Sequence, residues 1–367
     1  MIRLLCMLLI LLGSLTAQTS FSREHAPAQP NLEPVLETII AEYNLPGAVV
    51  AYARGGEGDI QVAAAGYADL GTGQPVTPDT QFFIGSISKN LYATVALHLA
   101  QDGLLDLDAP VSNCTDWADG DRITVRMLLN HTSGIPDYIG MIFRSPEDVT
   151  RQWFAQKRTQ PELLAVMDRF RLLFEPGTEQ AYSNTNALLL GEVLVSAGGM
   201  SMAQLLDKHI CQPLGLENTY LYGVEHPTAP DARGYREIGI WNDPAHGNLV
   251  DATHADLAFL DTADGSIVST AADLVRYHQG LRGGRLIDSE HFELMRTIDP
   301  GIDNGLSYII GEAQFGKFEG NLGRMTCYIA ASIYLPEYDL YFAFLANNGT
   351  AGMPIKPLIE EIVGSRP

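Results

Sequence analysis

The position of the strand-forming runs constrains the fold most. "GAVVAYARGGEGDIQVAAAGYADLGTG", residues 47–73, reads as two strands around a glycine-rich turn, Ala48 to Arg54 and Ile60 to Tyr67. The next such runs come only after residue 300. They are "LSYIIGEAQFGKFEG", "TCYIAASIYL" and "LYFAFLAN", the last two joined by the tight turn Pro336-Glu337-Tyr338-Asp339. Strands at both ends of a chain, separated by a long stretch of another character, must find each other in space if their edges are to be satisfied.

The intervening stretch is helical. "ITVRMLLNHTSG" is a short helix stopped by Gly134 and Pro136, and Ser145-Pro146-Glu147-Asp148 is a helix start with a serine cap and proline in the first turn. "PELLAVMDRFRLLF", "TNALLLGEVLVSAGG" and "SMAQLLDKHICQPLGL" predict three more helices. Residues 223–264, rich in Asp, His and Gly, read as a long irregular loop over a surface. Amphipathic helices close both ends, "NLEPVLETIIAEYNLPG" and "PIKPLIEEIVG". The economical solution is an α/β fold of the α+β type. One antiparallel sheet is built from both chain ends, flanked by N- and C-terminal helices, with an all-helical lobe inserted. The sheet-bearing lobe takes residues of about 35–88 and 265–365, the helical lobe about 89–264, and a cleft between them is the natural site.

Composition narrows the function. With 367 residues, 46% of them hydrophobic, the chain can bury one large domain or two lobes. Its 44 acidic against 23 basic residues give a net charge of −21, a surface that repels nucleic acid and anionic lipid. Arg3, the apolar run Leu4 to Leu12 and Leu15-Thr16-Ala17 have the order of a secretory signal peptide over residues 1–17. That run is far short of the ~20 residues a spanning helix needs, so the expectation is a periplasmic or secreted protein with no membrane anchor after cleavage. Residues 18–34 form a polar lead-in. Cys114, Cys211 and Cys327 lie far apart without a C-x-x-C, which excludes a disulfide scaffold or a cysteine-rich zinc site and leaves one bridge open. His246 and His254 flank Asp251 and read as solvated loop histidines, and His131 as a structural cap.

The chemistry-bearing stretch is "QFFIGSISKNLYATVALHLAQDGLL", residues 81–105. Ser86 and Lys89, three apart at a helix start, share a face. Gly85 lets the backbone turn sharply, and the Ser86 N–H is an orphan donor of the first turn. A hydroxyl nucleophile, an amine base and an oxyanion donor thus fall within four residues. By itself the spacing also fits a serine helix cap beside a solvated lysine. Tyr182-Ser183-Asn184, in "FEPGTEQAYSNTNALLLGEVL", adds a phenol able to relay a proton and an amide able to hold a substrate amide. No G-x-S-x-G elbow is present, so a Ser-His-Asp hydrolase lacks support.

With "LLNHTSG", "CQPLGLENTYL" and "STAADL" in the same order and spacing, the chain from about residue 35 to 363 resembles the serine β-lactamase and D,D-peptidase superfamily, in its branch with a Tyr-x-Asn second motif. That branch includes cephalosporinases, D-alanyl-D-alanine carboxypeptidases, D-aminopeptidases and β-lactamase-like esterases. The resemblance implies an acyl-enzyme on Ser86, with Lys89 as proton acceptor, Tyr182 as the group that protonates the leaving atom, and Asn184 as the substrate-positioning amide. It implies no metal and no organic cofactor, and a small-molecule or peptide substrate such as a cell-wall peptide, or a carboxylic ester. The family's third motif, Lys or His, then a small residue, then Gly, falls on Asn321-Leu322-Gly323. Arg324 follows, and its backbone N–H would complete the oxyanion site. Asn321 and Leu322 depart from the pattern, which puts recognition of a substrate carboxylate in question.

Overall fold

The computed structural model describes residues 30–143, 156–237 and 249–364. Seven antiparallel strands form the main sheet, in the order Ile309–Ala313, Gly316–Arg324, Ile329–Leu335, Leu340–Ala346, Gly47–Arg54, Gln61–Asp69, Gln74–Pro75. The two chain ends meet at its centre, where Val49 pairs with Leu345 on one side and Ala64 on the other. Gly47–Arg54 is apolar at almost every position because it is covered on both faces. Ala48, Val50 and Tyr52 pack with Leu36, Ile39, Ile359 and Ile362 of the terminal helices Glu33–Glu42 and Lys356–Gly364. Val49, Ala51 and Ala53 join the larger core of the molecule on the opposite face. Helix Ala271–Arg282 covers that face, capped by Thr270, whose hydroxyl accepts from the Asp273 N–H.

The helical lobe is built around Ile87–Gln101. Twelve of its fifteen residues are buried, including Lys89 and Asn90. A helix this buried has no solvent face, and the sequence there carries almost no charge. It packs against helix Asn184–Gly198 on one side and strand Gly316–Arg324 on the other, and so forms the seam between the lobes. A small sheet of Phe82–Phe83, Ile267–Ser269 and Tyr220–Leu221 ties the start of this helix to the lobe above. Among the described residues no single helix is long and apolar enough to cross a membrane.

The structure corrects several local expectations. "LSYIIGEAQFGKFEG" is a hairpin rather than one run, because Gly316, at φ 106°, lets the chain reverse between Ile309–Ala313 and Gly316–Arg324. The helix in "PELLAVMDRFRLLF" stops at Met167, and "SMAQLLDKHICQPLGL" contains a π-turn at Asp207–Cys211 between two α-segments. Residues 223–264 are not simply a surface loop. Tyr235–Glu237 pairs with Leu249–Asp251, and a short helix, Thr253–Asp256, carries a buried carboxylate against the connection between strands Gly316–Arg324 and Ile329–Leu335. Cys114, Cys211 and Cys327 are all free thiols. The signal segment, the helix start at Ser145–Asp148 and His246 lie outside the described residues.

Candidate active site

Two glycines make the seam possible. Gly85 has φ 55°, and a Cβ there would lie 2.8 Å from the Arg324 nitrogen. A Cβ on Gly323 would sit 1.9 Å from the Ile84 carbonyl oxygen. Strand Gly316–Arg324 and the turn before helix Ile87–Gln101 therefore cross backbone to backbone. The Arg324 amide is brought against Gly85 and Ser86, the arrangement an oxyanion site needs.

Ser86 occupies the N-cap position of the helix, but its side chain caps nothing. Its Oγ receives a hydrogen bond from Lys89 Nζ at 3.1 Å and lies 2.8 Å from the Tyr182 hydroxyl. Lys89 is buried rather than solvated and donates a second bond to the Asp264 carbonyl oxygen at 2.7 Å. The alternative of a serine cap beside a free lysine is thereby removed. Lys89 Nζ also lies 5.2 Å from the centre of the Tyr182 ring.

Tyr182 ends the segment that enters helix Asn184–Gly198. Its hydroxyl is 3.3 Å from Asn184 Oδ1, and the Asn184 backbone N–H and Nδ2 both donate to Asp137 Oδ1, at 2.9 and 3.0 Å. Asp137 thus fixes which end of the Asn184 amide faces the tyrosine. Beneath Tyr182 lies the ring of His131, 4.6 Å between centroids. His131 adopts φ 62°, and its Nδ1 faces the Asn186 amide at 3.1 Å and the Ser183 N–H at 3.4 Å. Burial, reinforced by the Lys89 charge, pushes His131 down to about 3, so it is neutral and accepts through Nδ1. His131 supports the tyrosine instead of moving protons.

The third-motif residues lie as the strand period demands. Asn321 and Gly323 turn inward, while Leu322 and Arg324 share the exposed face. Asn321 Nδ2 donates to the Ser307 carbonyl oxygen at 3.0 Å. The Arg324 guanidinium is held by two backbone carbonyls, those of Gly349 and Ala351, the latter at 3.0 Å.

The cleft has two compartments that meet at Ser86, Tyr182 and Arg324. One, of about 420 Å³, is lined by Tyr138, Asn184, Phe259, Gly265 and Met325 among others; the second, of about 340 Å³, by Lys89, His131, Ser307, Asn321 and Leu322. A larger hollow of about 620 Å³ beside helix Met202–Leu206 contains none of these groups.

All seven residues singled out in the sequence therefore border one cleft. Several partners gave no signal. Asp264 acts through a main-chain oxygen, which no residue type advertises. Asp137 lies close to "LLNHTSG" but outside it, and Arg236 and Asp256 reach the cleft from the segment read as a loop. Among the described residues no group of three or more His, Cys, Asp or Glu side chains could hold a metal ion.

Residues 32–356 match the model of a protein family described as Beta-lactamase. The chain is 28% identical over 332 residues to penicillin-binding protein 4* of Bacillus subtilis, covering 86% of this chain and 71% of that protein. It is 32% identical over 220 residues to esterase EstB of Burkholderia gladioli, covering 56% of this chain and 55% of that one. A crystal structure of D-amino acid amidase from Ochrobactrum anthropi superposes with a TM-score of 0.77 at 26% identity, covering 92% of this chain and 99% of that chain.

Proposed function

We propose that this chain, which belongs to the β-lactamase family and is a serine hydrolase of that fold, cleaves D-amino-acid amides or peptides through an acyl-enzyme on Ser86. One observation carries the reading: Ser86 Oγ leaves its helix end uncapped and lies between Lys89 Nζ and the Tyr182 hydroxyl. As Oγ attacks the substrate carbonyl, Lys89 takes its proton. The developing oxyanion sits between the Ser86 and Arg324 N–H groups. Tyr182 passes a proton to the leaving nitrogen or oxygen as the tetrahedral adduct collapses, and Lys89 restores it. Water then attacks the acyl-enzyme with the same two groups handling its proton. Asn184, its amide orientation fixed by Asp137, positions the acyl half in the larger compartment; the leaving group occupies the compartment of Asn321.

A carboxylic ester is the second reading, favoured by the neutral Asn321 and the exposed Leu322 where a cation and a hydroxyl would hold a free carboxylate. A fluorescent phosphonate should label the wild type and not Ser86→Ala. Rates on D- and L-phenylalanine amide and on a p-nitrophenyl ester then rank the classes. Absence of labelling would sink the acyl-enzyme and favour a binding module. The order of basic, apolar and small residues over positions 1–17 supports export with a mature N-terminus near Gln18. The intact mass of the exported protein tests this, and a mass that retains Arg3 would refute it.

A further inference from the structure

The larger compartment holds an arginine pair whose charge is not balanced in the usual way. In this strongly acidic chain, Arg122, Arg126, Arg233, Arg276, Arg282 and Arg296 each pair with a carboxylate. Arg236 and Arg324, both lining the 420 Å³ compartment, have no such pair among the described residues. Among the described residues the Arg324 guanidinium bonds the neutral carbonyls of Gly349 and Ala351. The Nε of Arg236 is buried and has no hydrogen-bond partner among the described residues. The two are linked through one piece of backbone: Gly349 accepts from Arg324 and donates its N–H to the Tyr235 carbonyl oxygen at 3.1 Å, one residue before Arg236. A buried guanidinium nitrogen without an acceptor is costly unless a ligand supplies one.

The acids of the same compartment are already engaged. Asp256 accepts the N–H groups of Thr326 and Cys327, at 2.9 and 2.8 Å. Asp264 accepts the Tyr138 hydroxyl at 2.8 Å. Neither bonds Arg236 or Arg324.

We propose that Arg236, assisted by Arg324, binds an anionic group, a carboxylate foremost, on the acyl half of the substrate, at the opposite end from the place where Asn321 has removed the cation. The inference rests on the assignment of Ser86 as nucleophile. It also accounts for the change at Asn321: a substrate anchored by its acyl-side anion needs no charge contact in the leaving-group compartment. Guanidinium suits this task because its fork donates to both oxygens of a carboxylate at once.

The test compares matched p-nitrophenyl esters: the adipate and suberate monoesters against the hexanoate and octanoate esters, with spontaneous hydrolysis subtracted. In each pair a terminal carboxylate replaces a methyl group. The ratio of kcat/KM for the anionic over the neutral ester should fall about tenfold in Arg236→Gln, the difference expected when a charge-assisted hydrogen bond is lost. Arg236→Lys, which keeps the charge and loses the fork, should give an intermediate ratio. It also keeps the test available if the glutamine variant does not fold. Ratios that stay at the wild-type value in both variants overturn the subsite. Hydrolysis of the neutral esters alone by the wild type removes the subsite and leaves the hydrolase intact. Hydrolysis of none of the four, with no phosphonate labelling, removes the nucleophile assignment and the subsite with it.

Discussion

Gly323→Ala is the most direct probe of the seam. The added methyl would lie 1.9 Å from the Ile84 carbonyl oxygen and 3.3 Å from Ile87 Cγ1, and the first contact is rigid backbone. The strand must therefore retreat from Gly85–Ser86 by more than an ångström to restore ordinary packing. Overpacking of this kind costs about 1–3 kcal/mol of stability. In a chain this large the melting temperature should fall by only a few degrees. The catalytic loss should be larger, because the retreat carries the Arg324 N–H away from the oxyanion. One lost oxyanion donor is worth ~2.7–4 kcal/mol, or about 10²- to 10³-fold in kcat. Stopped-flow acylation with an activated ester, alongside a thermal melt, separates the two effects. If Gly323→Ala acylates at the wild-type rate while remaining folded, the Arg324 amide does not serve the oxyanion.

Lys89→Ala and Tyr182→Phe should each slow acylation by about 10²- to 10⁴-fold with the fold retained, since each removes a positioned proton carrier. An unchanged rate in Lys89→Ala in the same stopped-flow assay would show the base to be another group. Asn321→Lys restores a cation in the smaller compartment and should raise kcat/KM for a chromogenic cephalosporin roughly tenfold, one charge-assisted contact. Efficient turnover by the wild type with no gain in the variant would refute the carboxylate argument. Burial pushes the Asp256 carboxyl up to about 6, against 3.8 when exposed. Its contribution to stability is then complete below about pH 3.8 and is lost as pH rises through 6. Each tenfold change in proton affinity is worth about 1.4 kcal/mol, so the loss comes to roughly 3 kcal/mol. Urea denaturation at pH 4 and pH 7 should show this component in the wild type and not in Asp256→Asn. Equal pH dependence in the two proteins would rule it out.

The fold was legible where periodicity and covering agreed. Strands 47–54, 329–335 and 340–346 are apolar at nearly every position because the main sheet is buried on both faces, and such runs announce themselves. The cleft was legible through Ser86, Lys89, Tyr182 and Asn184 because acyl transfer calls for such side chains, and the structure brings the four together. What stayed hidden depends on long-range backbone paths. The short strand Tyr235–Glu237 exists because the segment that follows strand Leu340–Ala346 accepts it: Tyr235 bridges to Asn348, and the Glu237 N–H donates to the Thr350 hydroxyl. Nothing within residues 223–264 encodes that partner, so the segment reads as loop and Arg236 passes without notice. That Leu322 and Arg324 share a face agrees with regular strand alternation, but the capture of the Arg324 guanidinium by two carbonyls from the loop after residue 346 could not be read from the sequence.

The pairing of Val49 with Leu345 at the centre of the sheet has a consequence for how the molecule comes into being. Strand Gly47–Arg54, next to the middle of the main sheet, waits for almost the entire chain before it gains its second neighbour, and closing so long a loop slows folding. The residues of the cleft follow the same timetable: Ser86 and Lys89 are made early, whereas Gly323 and Arg324 are placed by strands near the end. A partly synthesised chain, or one truncated before residue 316, carries the serine and the lysine without strand Gly316–Arg324, whose Arg324 amide is proposed to complete the oxyanion site. On the proposed mechanism, reactivity then belongs to a chain that has already placed this strand.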